Sequence, residues 1–466
     1  MPTEGHATSM GPRSAHLVGV CGAGMKALAE MLDGLGWNLS GSDLQPASPA
    51  IEALALHGLT FHRGHAAANV PSQTELLIYS PAIRPENPER LEAARRGLAQ
   101  YSYGEMIGRL MAERTGIGIA GTHGKSTTTA MVGWILSVAG RDPAVLVGAE
   151  LCDSGHSGRA GASDLFVVES CEFDASFLEF LPKHAAILNV EPDHFDCYAD
   201  LREIVQAFHE FASRIPADGV LLVNGDSSTT RESVTGVAAR IVTFGLKPDH
   251  DWVADQIKDQ FDGAIFRIRC RGVDWGTARL RLHGEHNVLN ALAAAALAAE
   301  LGVNQAHILA ALHSFGGVKR RFEVVGEWNG RTLVEDYAHH PTAVRATLQT
   351  ARQVYGDRRI WCFFQPHQVS RTVSLMDEFA SSFSSANEVL IAPVFAARER
   401  VTDEPRRVAA ELAGRIAAQG TAARFVDSLD QILATVDDAT RPGDVLIAMG
   451  AGDIDRIHYE LIRRVC

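Results

Sequence analysis

The sequence predicts an α/β fold in three domains: an N-terminal Rossmann-like domain, a central domain with a mostly parallel sheet of the P-loop ATPase type, and a C-terminal Rossmann-like domain. Three observations carry this. Short continuous apolar runs alternate with helical stretches along the chain, as parallel sheets covered on both faces require. Two of those runs end in glycine-rich loops that open helices, near residues 19–25 and 121–126. At 466 residues the chain is long enough for several cores at about 100–200 residues each. The expected divisions are 1–114, 115–316 and 317–466.

Composition narrows the function classes. With 46% hydrophobic and 21% charged residues the chain is near globular averages. No apolar run reaches the roughly 18 residues of a membrane helix, and the first residues are polar without a signal-like apolar segment. A cytoplasmic protein without membrane insertion is expected. A net charge of −13 argues against a general nucleic-acid binder, whose phosphate contacts need basic surface. The seven cysteines contain no C-x-x-C pair, so reduced thiols are expected.

In the first domain, an apolar run into Gly19, Gly22, Ala23, Gly24 and Met25 precedes a helical stretch from Lys26 to Leu35. Gly22-x-Gly24-x-x-Ala27 fits the dinucleotide fingerprint, and Asp43 follows a second strand where a ribose-binding acid is expected. NAD, FAD and UDP all satisfy this, because the glycines only admit a diphosphate to a helix N-terminus. Residues 75–80 read as a strand, and 88–97 as a helix.

The central domain opens with the strand 117–120, the loop Gly121, Thr122, His123, Gly124, and then Lys125, Ser126, Thr127 and a helix to about Val138. Backbone N–H groups of such a loop, the helix dipole and Lys125 together suit phosphate, and Ser126 is placed to hold Mg²⁺. The strict P-loop pattern wants glycine at position 119, which is isoleucine here, so the loop is a short form. Glu169 and His194 follow strands 164–169 and 186–190. They can therefore face the same crevice, where ligands of α/β sheets gather. An alanine-rich helix after Gly284 carries His286, Asn287 and Asn290 near its start, as capping groups or ligands.

In the third domain Arg320 and Arg321 follow the turn at Gly316–Gly317. A guanidinium beside a nucleotide crevice is suited to bidentate phosphate contact. The strand 331–335 leads to Asp336, Tyr337, His339 and His340, with Pro341 opening a helix. Continuous apolar strands follow at 359–364, 388–393 and 444–449, and His367 and Arg371 lie after the first. Arg371 could hold a substrate carboxylate or phosphate, or form a salt bridge at a helix start.

The stretches 16–25, 40–43, 79–83 with 87–89, 121–126 (GTHGKS), 189–194 (NVEPDH), 284–291 (GEHNVLNA), 320–322, 336–341 (DYAHHP), 364–367 with 370–372, and 450–453 together resemble the Mur ligases, in the family's order and over nearly the whole chain. The resemblance implies an ATP-dependent ligase. The γ-phosphoryl group of ATP activates the carboxylate of UDP-N-acetylmuramate and L-alanine displaces phosphate, with UDP sugar, ATP and amino acid on the three domains in turn. It implies ATP and Mg²⁺ as cofactors. Ser126, Glu169 and His194 would be metal ligands, and Asn290, Asp336 and Arg321 nucleotide contacts. Gly19, Gly22, Ala23, Gly24, Met25, Asp43, Ser80, Tyr337, His367 and Arg371 would be substrate contacts, and His339 or His340 an aid to the amine. A monomer or homodimer is expected.

The chain departs from the family pattern at Cys21, usually glycine, at Lys26, usually small, and after Glu169, where Glu172 and Asp174 read equally as surface groups or as supports of the site. Two rivals stay open: a sister ligase that adds a preformed peptide to the same sugar, and a non-catalytic nucleotide-binding scaffold.

Overall fold

The computed structural model describes residues 13–195, 197–260, 262–397 and 404–464. The first twelve residues, on which most of the leader reading rests, and Cys466 lie outside them. Three sheets follow one another along the chain. The first runs, edge to edge, Thr60–Arg63, Asn38–Asp43, Ser14–Val18, Leu76–Tyr79, Ala99–Ser102, all parallel. That is strand order 3-2-1-4-5, so the chain reverses direction beside Ser14–Val18 and leaves a crevice at its carboxyl end.

The second sheet has ten strands. Its parallel centre is Arg240–Gly245, Val220–Asn224, His184–Ile187, Thr115–Ala120, Leu165–Ser170, Ala144–Leu146. A three-stranded antiparallel extension, Trp252–Gln260, Gly263–Cys270 and Val273–Leu280, continues one edge. Thr115–Ala120 sits between His184–Ile187 and Leu165–Ser170, so the phosphate loop, Glu169 and the segment carrying His194 emerge side by side. Isoleucines 117 and 119 are fully buried there, which is why an uninterrupted apolar run suits this strand.

The third sheet has six strands in the order Glu323–Trp328, Arg331–Asp336, Val445–Met449, Ile360–Phe364, Glu388–Ile391, Ala422–Phe425. Only the first pair is antiparallel. The late strand Val445–Met449 lies between Arg331–Asp336 and Ile360–Phe364, so Asp336 and the segment from Gln365 reach one end of the sheet together.

Helix starts separate structural from binding ends. The helices Pro88–Arg95, Tyr103–Ala112 and Leu201–Ser213 are capped by the side chains of Asn87, Ser102 and Asp200, with an acid in each first turn. The helices Ala23–Gly34 and Lys125–Val138 begin at Gly22 and Gly124 with no side-chain cap and no first-turn acid. Their first N–H groups and positive dipole ends are thus left for an anion. Helix Ala23–Gly34 begins three residues earlier than the sequence suggests, which puts Gly24 and Met25 inside its first turn. The alanine-rich helix Glu285–Glu300 buries Ala291 and Ala293–Ala296 in the same core as Met131 and Ile135. Among the described residues no helix is long and apolar enough to cross a membrane, and none of the described cysteines is in a disulfide.

Candidate active site

One cavity of about 1000 Å³ is lined by all three sheet regions. From the sequence-chosen residues it collects Gly22, Ala23, Gly24, Met25 and Ser80; Thr122, His123, Gly124, Lys125, Ser126 and Thr127; Glu169, His194 and Asn290; and Arg321, Asp336, Tyr337, His339, His340, His367 and Arg371. Gly19, Asp43 and Gly121 are not on its wall. Gly19 supports the loop from behind, with φ of 84° and its N–H donating to Ser42 O at 2.8 Å. Asp43 is spent on backbone, accepting from the N–H groups of Cys21 and Gln45, both at 2.9 Å. Gly121 contributes its carbonyl, which accepts from Lys125 Nζ at 2.6 Å.

The phosphate loop is fixed from both sides. Asn189 clamps His123, accepting from its N–H at 2.7 Å and donating to its carbonyl at 3.0 Å. Gly124 has φ of 82°, and a Cβ there would run into Asn290 Oδ1, so glycine is required by conformation and by space. Asn290, held by Asn287 at 3.3 Å, thus sits against the loop from the start of the alanine-rich helix.

Lys125 does not point into open space. Its ammonium donates to the carbonyls of Gly121 and Thr122 and to both oxygens of Glu172, at 3.0 and 2.8 Å. Burial favours the neutral amine, but the charge of Glu172 outweighs it and holds Lys125 firmly protonated. Glu172, which the sequence left undecided, is buried between Lys125 and His194, whose Nε2 is 3.6 Å away; Asp174 is exposed. Ser126 Oγ donates to Glu169 Oε1 at 3.1 Å, while Glu169 Oε2 accepts from Gly148 N–H at 2.6 Å. A hydroxyl and a carboxylate so paired form a hard oxygen donor set that fits Mg²⁺. His194, with φ of 53°, faces Glu172.

The third sheet brings Arg321 to this loop. Its Nη2 lies 3.5 Å from Ser126 Oγ and its guanidinium sits 4.7 Å above the Tyr337 ring. The neighbouring Arg320 has another task, donating to the carbonyls of Gly450 and Gly452 at 2.8 and 3.1 Å. Asp336 accepts from the N–H groups of Phe322 and Ala338, tying the arginine segment to the strand that carries the histidines.

Two histidines with adjacent numbers face different partners. His339 Nδ1 is 2.8 Å from Tyr337 O, so that nitrogen carries the proton and Nε2 keeps the lone pair. Burial, and then the charge of Arg371, hold this ring neutral. His340 Nε2 lies 3.1 Å from Pro192 O, fixing the opposite tautomer. Arg371 is buried and forms the salt bridge foreseen as an alternative: its Nε donates to Asp193 Oδ1 at 2.6 Å, with Nη1 3.1 Å from His367 Nδ1. Asp193 was missed in the sequence, although it precedes His194 directly. A second missed group is Glu150, which binds Lys26 and Lys319, each at 2.8 Å, and so joins the first glycine helix to the entry of the third sheet.

Known proteins match this chain over all three regions. Residues 14–115 match the model described as Mur ligase family, catalytic domain; residues 119–298 match the Mur ligase middle domain; residues 320–452 match Mur ligase, glutamate ligase domain. A UDP-N-acetylmuramate–L-alanine ligase of Nitratidesulfovibrio vulgaris is 40% identical over 96% of this chain and 97% of its own. One of Desulfitobacterium hafniense is 38% identical over 97% and 100%. Among solved structures, the UDP-N-acetylmuramate-alanine ligase of Thermotoga maritima superposes with a TM-score of 0.81 at 27% identity, covering 97% and 99% of the two chains. A murein peptide ligase of Psychrobacter arcticus gives 0.72 at 26% identity over 97% and 98%. The chain therefore belongs to the Mur ligase family.

Proposed function

We propose that this chain is an ATP-dependent ligase that joins L-alanine to the carboxylate of UDP-N-acetylmuramate, releasing ADP and phosphate, in cytoplasmic peptidoglycan precursor synthesis. The observation that carries this reading is the shared cavity. A capless glycine helix, a phosphate loop with Lys125, and a histidine–arginine cluster from three different sheets line one space. Residues 1–114 would hold the UDP sugar, with its diphosphate at Gly22, Ala23 and Gly24; residues 115–316 the ATP; and residues 317–466 the amino acid.

A carboxylate is a poor acyl donor because oxide cannot leave. Transfer of the γ-phosphoryl group to the carboxylate oxygen gives an acyl phosphate and ADP. Lys125 and Arg321 flank the loop and would neutralise charge on the transferring group, so positioning and electrostatics do the catalysis. Ser126 and Glu169 are the residues that would hold Mg²⁺, with His194, which lines the same cavity and faces Glu172, as the third ligand that the resemblance implies; the ion when bound adds further charge neutralisation there.

The alanine amine then attacks the acyl carbon, the C–N bond forms, and phosphate departs with the electron pair of the C–O bond. His339 is the better placed of the two histidines to orient the amine, because its Nε2 lone pair can accept a hydrogen bond from it on a ring set beside Arg371; burial and the guanidinium hold that ring neutral, so the departing phosphate would take the proton. His340 faces Glu191 instead. Arg371 is already paired with Asp193, so the substrate carboxylate would share it rather than own it.

A heavy-oxygen label on the sugar carboxylate tests the acyl phosphate. The released phosphate is expected to carry one labelled oxygen; product formed with unlabelled phosphate would overturn the mechanism.

A further inference from the structure

Outside the Ser126–Glu169 pair, three metal-ligating side chains converge from three segments: His123 on the phosphate loop, Glu191 after the strand His184–Ile187, and His340 at the start of helix Pro341–Tyr355. His123 Nε2 is 3.4 Å and His340 Nδ1 3.8 Å from Glu191 Oε2, and the three donor atoms lie within 4.8 Å of one another. Donors that each sit about 2.0–2.2 Å from one ion are themselves about 3–4 Å apart. We infer that His123, Glu191 and His340 form a second cation site, for a divalent transition metal of the zinc class, which ties the phosphate loop to the third sheet.

The supporting contacts have the form such sites need. His340 Nε2–H donates to Pro192 O at 3.1 Å, which leaves Nδ1 with its lone pair towards the cluster. Nδ1 accepts only a long contact of 3.4 Å from Thr342 N–H there. Glu191 Oε2 accepts from Thr342 Oγ1 at 2.7 Å, orienting the carboxylate. His123 Nε2 is buried and makes no hydrogen bond among the described residues, despite its nearness to Glu191. Two borderline imidazoles with one hard carboxylate make a donor set that favours zinc, cobalt or nickel; Mg²⁺ prefers oxygen and its own water. The fourth position is left to water. Occupancy would hold the two sheets together.

The test needs no ligation, so it is independent of the proposed reaction. The full chain, with excess Mg²⁺ and no nucleotide, is titrated with Zn²⁺ by calorimetry and with Co²⁺ by absorption. One Zn²⁺ per chain is expected, with affinity reduced about tenfold or more in both Glu191→Gln and His340→Asn and retained in Glu169→Gln. The Co²⁺ spectrum should lack thiolate charge-transfer bands. No binding by the parent chain, unchanged affinity in either cluster variant, loss in Glu169→Gln, or a thiolate signature would each overturn the assignment. If Glu191→Gln does not fold, His340→Asn alone decides.

Discussion

The ammonium of Lys125 lies 2.8 Å from the carboxylate of Glu172, and both groups are almost wholly buried. The phosphate-loop lysine is therefore held by a counter-charge that the sequence left open between a surface group and a support of the site. Lys125→Ala is expected to abolish ATP-dependent phosphate release while leaving UDP-sugar binding, measured by calorimetry, within a few-fold of the parent. Glu172→Ala strands a buried ammonium and should cost about 3–5 kcal/mol of stability, read from the unfolding midpoint. An unchanged midpoint would show that the pair is not a structural unit.

Gly124 is constrained twice, by its positive φ and by Asn290. Gly124→Ala should strain the loop by about 1–2 kcal/mol from conformation alone, displace Asn290, and weaken nucleotide binding in a titration with ATP. The double variant Gly124→Ala/Asn290→Ala relieves the collision and should recover part of the lost stability, read from the unfolding midpoint, without recovering ATP affinity, because Asn290 is itself an expected nucleotide contact.

Arg320 and Arg321 separate by task. Arg321→Ala should lower kcat by about a hundredfold or more, as loss of one transition-state contact does, with an unchanged melting profile. Arg320→Ala removes the contacts to Gly450 and Gly452 and should lower the melting temperature instead. Equal effects of the two variants on both readouts would refute the division.

Acid stability should show two steps. Burial, with the charge of His123, pushes His286 down from 6.5 to about 4. Between those values the unfolded chain binds a proton that the folded chain refuses, so stability falls as pH drops through this window and is complete above it. Glu89 is buried, which alone would raise it, yet the His16 ring 3.6 Å away and hydrogen bonds from Ser42 and Asn69 hold it at about 2 instead of 4.5. Its contribution is present above 4.5 and lost as pH falls towards 2. Thermal midpoints across pH should lose the upper slope in His286→Gln and the lower one in Glu89→Gln.

The apolar strands and glycine loops were readable because each is a local pattern. A buried parallel strand needs an unbroken apolar run, and a loop at positive φ needs glycine. The phosphate loop, Glu169, Arg321 and the histidine pair, the last two singled out with the help of the resemblance, line one cavity. What local pattern does not carry is pairing between distant segments. Glu172, Asp193, Glu150 and Glu191 are ordinary acids in sequence, and each takes its role from a partner 47 to 178 residues away. Asp43 shows the converse: its position suggested ribose, while its oxygens serve the turn beside Cys21.

The central claim is that this site makes an amide from UDP-N-acetylmuramate and L-alanine at the expense of ATP. Purified protein incubated with ATP, Mg²⁺ and the UDP sugar, with either L-alanine or the preformed tripeptide, tests it by phosphate release and product mass. Phosphate release dependent on L-alanine, with one alanine added to the sugar nucleotide, is the predicted result. Product formed only from the tripeptide, or no amine-dependent phosphate release, would contradict it.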